Sequence, residues 1–130
     1  MDSFLEANQL LIDGQPADAL VAYLKMESVM EERLEYWSNR SYARLQVGEM
    51  ERCVEDGKKA LSLGEHEPTY YRMGCAYFEM EEYEAALEVA EKGSALLKTG
   101  GTGKAATLYA RLIRKCKAEI AMEEKEMTVA

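Results

Sequence analysis

The feature that most restricts how this chain can fold is a recurrence at nearly constant spacing. The segment DGQPADAL, ending at Leu20, returns as VGEMERCV ending at Val54 and as MEEYEAAL ending at Leu87. Its small residue, Ala19, Cys53 and then Ala86, is thereby repeated after 34 and 33 residues. A unit of that length holds two short helices and their turns. It cannot bury its apolar face alone, so several such units must stack. The middle copy shows how one is built. From Tyr36 to Leu63, Trp37, Arg40, Ser41 and Arg44 fall at helical spacing before a Gly48-Glu49 turn, and Cys53, Gly57, Ala60 and Leu61 line one face of a second helix. Small residues at Ser41 and Cys53 let the two axes approach, while Trp37 fills the space between them.

The period is that of the tetratricopeptide (TPR) repeat, and other positions agree with that register. Ala7, Ser41 and Gly74 supply a small residue in each first helix, with Leu10 and Tyr77 one turn later; Tyr23 and Ala60 occupy large and small slots in second helices. The expected fold is all-α, a right-handed α-solenoid of three TPR helical hairpins at residues 1–30, 31–64 and 65–98, closed by a C-terminal capping helix over residues 104–126.

Local signals place the elements. A first helix over residues 2–12, capped by Asp2 or Ser3, ends at Asp13-Gly14, and Pro16 suits the first turn of a second helix running to about Met30. Pro68 opens the third repeat, whose first helix carries Tyr70, Tyr71, Tyr77 and Phe78. In the last helix Ala105, Leu108, Tyr109, Leu112, Ile113, Cys116 and Ile120 form an apolar stripe facing the third repeat, and residues after Met127 are expected to fray.

Several function classes are disfavoured. The formal net charge of −8 argues against a nucleic-acid groove, and the acids cluster near turns and helix starts, where they complement helix dipoles. An odd set of three cysteines, Cys53, Cys75 and Cys116, reads as free thiols in a reducing cytosol or nucleus. No apolar run reaches membrane-spanning length and no signal segment opens the chain, so a soluble intracellular protein without membrane contact is expected. His66, the only histidine, lies in a connector and reads as a surface residue; neither a catalytic triad nor a histidine-based metal site has material. The stretch KTGGTG from Lys98 with Lys104 hints at a phosphate loop. Lys98 stands where the first glycine is needed and Ala105 where Ser or Thr is needed, so a helix stop and flexible joint is the expectation. No enzyme activity and no cofactor are expected.

In a stack of TPR hairpins the first helices line the concave side. The inward positions are Phe4, Asn8, Leu11 and Ile12, then Ser38, Asn39, Tyr42, Leu45 and Gln46, then Tyr71, Arg72, Cys75, Phe78 and Glu79. Some TPR co-chaperones use such a groove as a two-carboxylate clamp for the acidic C-terminal tails of the Hsp-ninety and Hsp-seventy chaperones, with two Lys, two Asn and one Arg. Asn8, Asn39 and Arg72 stand at three of those positions, while Phe4 and Pro68 occupy the two lysine positions. What remains is an apolar and aromatic trough of Phe4, Leu11, Tyr42, Leu45, Tyr71 and Phe78. It suits an amphipathic helix of a partner or a second copy of the domain, or it is covered by the chain's own termini. Arg111, Arg114, Lys115 and Lys117 make a basic patch on the closing helix, read either as solubility and local pairing or as contact with an acidic partner.

The closing helix carries a more specific likeness. Leu112-Ile113-Arg114-Lys115-Cys116-Lys117-Ala118-Glu119 is similar to the Trp-Ile-basic-x-Cys helix, followed by acids, that closes the TPR domain of the Sgt-one (suppressor of G-two allele of Skp-one) co-chaperones, with Leu112 in place of the Trp. LIDGQPADAL resembles that family's first hairpin, and YWSNRSYARL and YRMGCAYFEMEEYEAALE its second and third, so the likeness runs from about Ala7 to Ile120. The resemblance implies a non-catalytic adaptor joining Hsp-ninety to Skp-one-containing ubiquitin-ligase and kinetochore complexes. In that family a separate CS domain holds the chaperone, clients are also bound by an SGS domain, and the TPR part serves Skp-one binding and, in some members, formation of a homodimer. No CS or SGS stretch stands in these 130 residues, so the resemblance implies either a piece of a longer protein or a shortened relative, with an indirect chaperone link.

Overall fold

The computed structural model describes residues 2–98 and 102–129, and they form eight helices with no strand among the described residues. Helix α1 (Ser3–Ile12) starts where the Asp2 carboxylate accepts the Phe4 N–H at 2.9 Å. Helix α2 (Pro16–Lys25) opens on Pro16, whose missing N–H costs nothing in a first turn. The second helix is shorter than its sequence suggests: the chain leaves helical geometry at Met26 (φ −113°, ψ 12°) and resumes as the single turn α3 (Glu27–Met30). Both methionines stay buried across the break, so the helical spacing of the apolar residues conceals it.

Helix α4 (Leu34–Val47) ends at Gly48, whose left-handed φ of +88° carries the chain into α5 (Met50–Leu63). Helices α6 (Glu67–Glu79) and α7 (Tyr83–Ala95) follow, then α8 (Lys104–Val129). Residues 99–101 of the glycine-rich joint lie outside the described residues. Helix α8 is helical through Met127 to Val129, its last turn exposed on every side. No helix of the described residues is long and apolar enough to cross a membrane.

The helices pair as hairpins α1/α2, α4/α5 and α6/α7; α2 packs on α4, α4 and α5 on α6, and α7 on α8. The register read from the repeats holds at its small positions: Ala19, Cys53 and Ala86 have no exposed surface, nor have Ala7 and Ser41, and Gly74 is buried. The first core cluster is aromatic. Tyr23 and Tyr36 meet edge to face at 5.9 Å, Tyr36 and Trp37 at 5.2 Å, and the Tyr36 hydroxyl donates to the Tyr23 carbonyl at 2.6 Å. Phe4 belongs to this cluster, tilted against both tyrosines and only 7% exposed. The expectation that Phe4 lines the groove is therefore corrected. Its ring gains more from burial, roughly 1.5–3 kcal/mol, than from a half-wet wall.

A charged tie joins the middle hairpin. The buried Asp56 carboxylate of α5 accepts from Arg40 Nε at 3.0 Å and Arg44 Nε at 3.1 Å, both on α4. Arg40 also reaches Glu27 at 2.5 Å, and Arg44 reaches Glu49 at 2.7 Å.

Candidate functional site

Helices α1, α4, α6 and α8 enclose one trough made of adjoining depressions. The first, about 440 Å³, is walled by Asn8, Leu11, Ile12, Asn39, Tyr42 and Arg72. It shares Tyr42 and Arg72 with a second of about 530 Å³, where Leu45, Gln46, Pro68, Tyr71 and Cys75 face Ala105, Leu108 and Tyr109 of α8. A third, about 80 Å³, continues past Tyr71 and Cys75 to Phe78, Glu79, Arg111 and Lys115. Helix α8 thus supplies a wall of the trough as well as closing the stack. Of the groove residues read from the sequence, Asn8, Leu11, Asn39, Tyr42, Tyr71, Arg72 and Phe78 line it and Phe4 does not.

Polar groups gather at the first depression. The Asn8 side-chain oxygen accepts from the Tyr23 hydroxyl at 2.6 Å and from Asn39 Nδ2 at 3.1 Å, so Asn8 has its amide N–H groups to offer to an acceptor. Arg72 Nη1 donates to the Ser38 carbonyl at 2.9 Å and the Ser38 hydroxyl at 2.7 Å, and its guanidinium lies 4.9 Å from the Tyr42 ring centroid. Among the described residues no carboxylate comes within ion-pair distance of Arg72. Burial lowers its pKa, and it remains a cation at neutral pH because an unperturbed guanidinium titrates so far above that range.

Behind Arg72 runs a chain of hydroxyls. Ser38 Oγ lies 2.7 Å from Thr69 Oγ1, which lies 2.8 Å from His66 Nδ1. The expectation that His66, in a connector, is a free surface residue is therefore corrected. His66 is half-buried, and Nδ1 faces both Thr69 and, at 3.2 Å, Ser38. Burial, then the nearby Arg72 charge, lowers its pKa below the usual 6.5. The unfolded chain accordingly takes up a proton below about pH 6.5 that the folded chain refuses, and stability falls as pH drops from neutral through the lowered folded-state value. Urea unfolding at pH 7 and pH 5 should show this loss, and it should shrink in a His66→Asn variant; an equal loss in both proteins would count against it.

The basic patch of α8 divides. Arg111 and Lys115, four residues apart, share the groove face, where Lys115 Nζ sits 4.6 Å from the Phe78 ring centroid. Arg114 and Lys117 are exposed and do not line the trough, because the 3.6-residue turn sends them to other faces. The three cysteines are free thiols. Burial pushes Cys53 up to about 11 and raises Cys75 and Cys116 as well, which keeps all three protonated and poorly nucleophilic.

No protein-family model matches the sequence. Among solved structures, the chain superposes on the Sgt2 TPR domain from Aspergillus fumigatus with a TM-score of 0.80 at 26% identity, over 95% of this chain and 80% of that one. The fold is that of a TPR domain. The first TPR of Spaghetti (RPAP3), solved bound to the HSP90 peptide SRMEEVD, superposes with a TM-score of 0.80 at 21% identity over 92% of this TPR domain and 90% of that one. The second TPR domain of human RPAP3, in complex with the HSP70 peptide SGPTIEEVD, gives 0.75 at 22% identity over 88% and 92%. The last two likenesses bear on the fold alone. At the level of its domain, this chain resembles the Sgt2 TPR domain.

Proposed function

We propose that this TPR domain binds the acidic C-terminal end of a partner protein as an extended peptide in its trough. Asn8, Asn39 and Arg72 take the terminal carboxylate, and Leu11, Tyr42, Leu45 and Tyr71 pack the apolar side chains. One observation carries the reading: Arg72 is a groove cation without a carboxylate in ion-pair distance among the described residues, beside two linked amides and an open depression. Comparable TPR domains were solved with HSP90 and HSP70 peptides that both end in EEVD, so a chaperone tail is the first ligand to try. Such an activity is that of a non-enzymatic co-chaperone module, and free buried thiols suit a reducing cytosol or nucleus.

The Sgt-one-like adaptor reading, with a Skp-one-like partner, an indirect chaperone link and a homodimer in some members, draws on the closing helix. There Leu112 and Cys116 are buried in the α7/α8 core, where they serve packing. The acidic-tail reading therefore comes first, and a Skp-one-like partner is the next to test if it fails.

Titration with a peptide ending in EEVD, followed by calorimetry, tests the proposal. Amidating the peptide C-terminus, or substituting Arg72→Ala, should each weaken binding about tenfold or more, the loss expected for a charge-assisted hydrogen-bonded contact. Affinity indifferent to both changes would overturn it.

A further inference from the structure

The trough holds a second cationic station. We infer that Arg111 and Lys115 form a subsite for the acidic side chains of the bound tail that precede its C-terminal residue; this rests on the acidic-tail reading above. Both side chains are exposed, they stand one helical turn apart on the α8 wall, and they close the end of the trough opposite Asn8. Neither has a carboxylate within ion-pair distance among the described residues. In a chain of net charge −8, two such cations on one groove wall form a local field of the opposite sign.

The neighbouring carboxylates leave that field in place. Glu67 Oε2 accepts the Tyr109 hydroxyl at 2.8 Å, and Glu79, which lines the same depression as Arg111 and Lys115, comes within ion-pair distance of neither, so the two cations outnumber it there. Phe78 holds the Lys115 ammonium over its ring, which orders the side chain without neutralising it. The depressions are continuous through Tyr71, Cys75 and Leu108, so an extended backbone, advancing about 3.3 Å per residue, passes from Arg72 to Arg111 along one wall. Of the two positions where a clamp would carry lysine, Phe4 is buried in the core and Pro68 lines the middle depression, so neither supplies a cation. The cations of α8 thus return positive charge to the trough at a different place, and read a different part of the ligand.

The test is a cycle on the whole 130-residue chain. Two peptides with a free C-terminus are titrated, one ending in EEVD and one in which the two glutamates are replaced by glutamine, against the wild type and an Arg111→Ala/Lys115→Ala variant. Both positions are exposed, and far-UV circular dichroism checks that the variant is folded. The wild type should prefer the acidic peptide by roughly fivefold or more, and the double variant should bind both alike. Amidation should weaken every combination, since it acts at Arg72. An undiscriminating wild type, or a preference that survives in the double variant, overturns the subsite while leaving the carboxylate reading intact. Binding insensitive to amidation overturns the carboxylate reading, and the subsite falls with it.

Discussion

Substituting Asp56→Ala should destabilise the domain by about 3–5 kcal/mol, the cost of leaving buried charges without their partner. Asp56 is 5% exposed and accepts from two arginines, themselves 7% and 4% exposed. Without it, Arg40 keeps Glu27 and Arg44 keeps Glu49, but both of these acids sit toward solvent, at the outer ends of the guanidinium groups. The buried Nε atoms that faced Asp56 are then left without their carboxylate acceptor. Because Asp56 is on α5 and both arginines are on α4, the loss is of the tie within the middle hairpin, on which the neighbouring hairpins pack from either side. Urea denaturation should show a lowered midpoint with a cooperative transition, and Asp56→Asn should lie between the two proteins. A shift below about 1 kcal/mol would place Asp56 among ordinary surface ion pairs.

The second large effect is expected at Gly93. In most exposed helical positions Gly→Ala is stabilising by about 1 kcal/mol, because alanine loses less backbone freedom on folding. Here α7 passes so close to α8 that a Cβ at Gly93 would lie 2.7 and 2.8 Å from carbons of the Tyr109 ring and nearer still to its hydroxyl. That ring cannot turn aside. It is 1% exposed, packs edge to face with Tyr71 at 5.2 Å, and its hydroxyl is held by the Glu67 carbonyl at 2.8 Å. Overpacking of roughly 3 kcal/mol, less the propensity gain, leaves a net loss of about 2 kcal/mol. The strain falls on the seat of α8, which is also a wall of the trough. Gly93→Ala should therefore lower the melting temperature and make α8 more open to limited proteolysis. A raised melting temperature would show that the helices separate without cost.

Much of this architecture was legible in the chain because stacking hairpins demand small residues at fixed intervals. Ala19, Cys53 and Ala86 announce the crossing points, and burial follows from them. Asn8, Asn39 and Arg72 were also readable as groove residues, since each first helix repeats the same inward face. Phe4 was misplaced by the same logic. Its register points inward, but Tyr23 and Tyr36 build an apolar site beside it that outcompetes the groove, and no local pattern reveals that pocket.

The break at Met26 is equally hidden, since both sides keep the helical spacing. His66, Thr69 and Ser38 meet across a repeat boundary, 28 and 31 residues apart in the case of Ser38, a distance at which hydrogen bonds leave no trace in sequence. Two features of the sequence do point to such contacts. Arg40 and Arg44, a turn apart on a helix face that must be buried, call for an acid on the opposing helix, and Asp56 is the acid beside the small residues of α5. The spacing of Arg111 and Lys115, against that of Arg114 and Lys117, already separates them by face.

The central claim is that an acidic tail lies in the trough with its carboxylate at Arg72, and amide chemical-shift mapping addresses it most directly. An isotope-labelled domain titrated with the free-acid EEVD peptide should shift amides around Asn8, Asn39 and Arg72 on α1, α4 and α6, with a second group near Arg111 on α8. The amidated peptide should lose the first group. Shifts confined to the outer faces, around Arg114 and Lys117 or along α5 and α7, or a pattern unchanged by amidation, would contradict the claim.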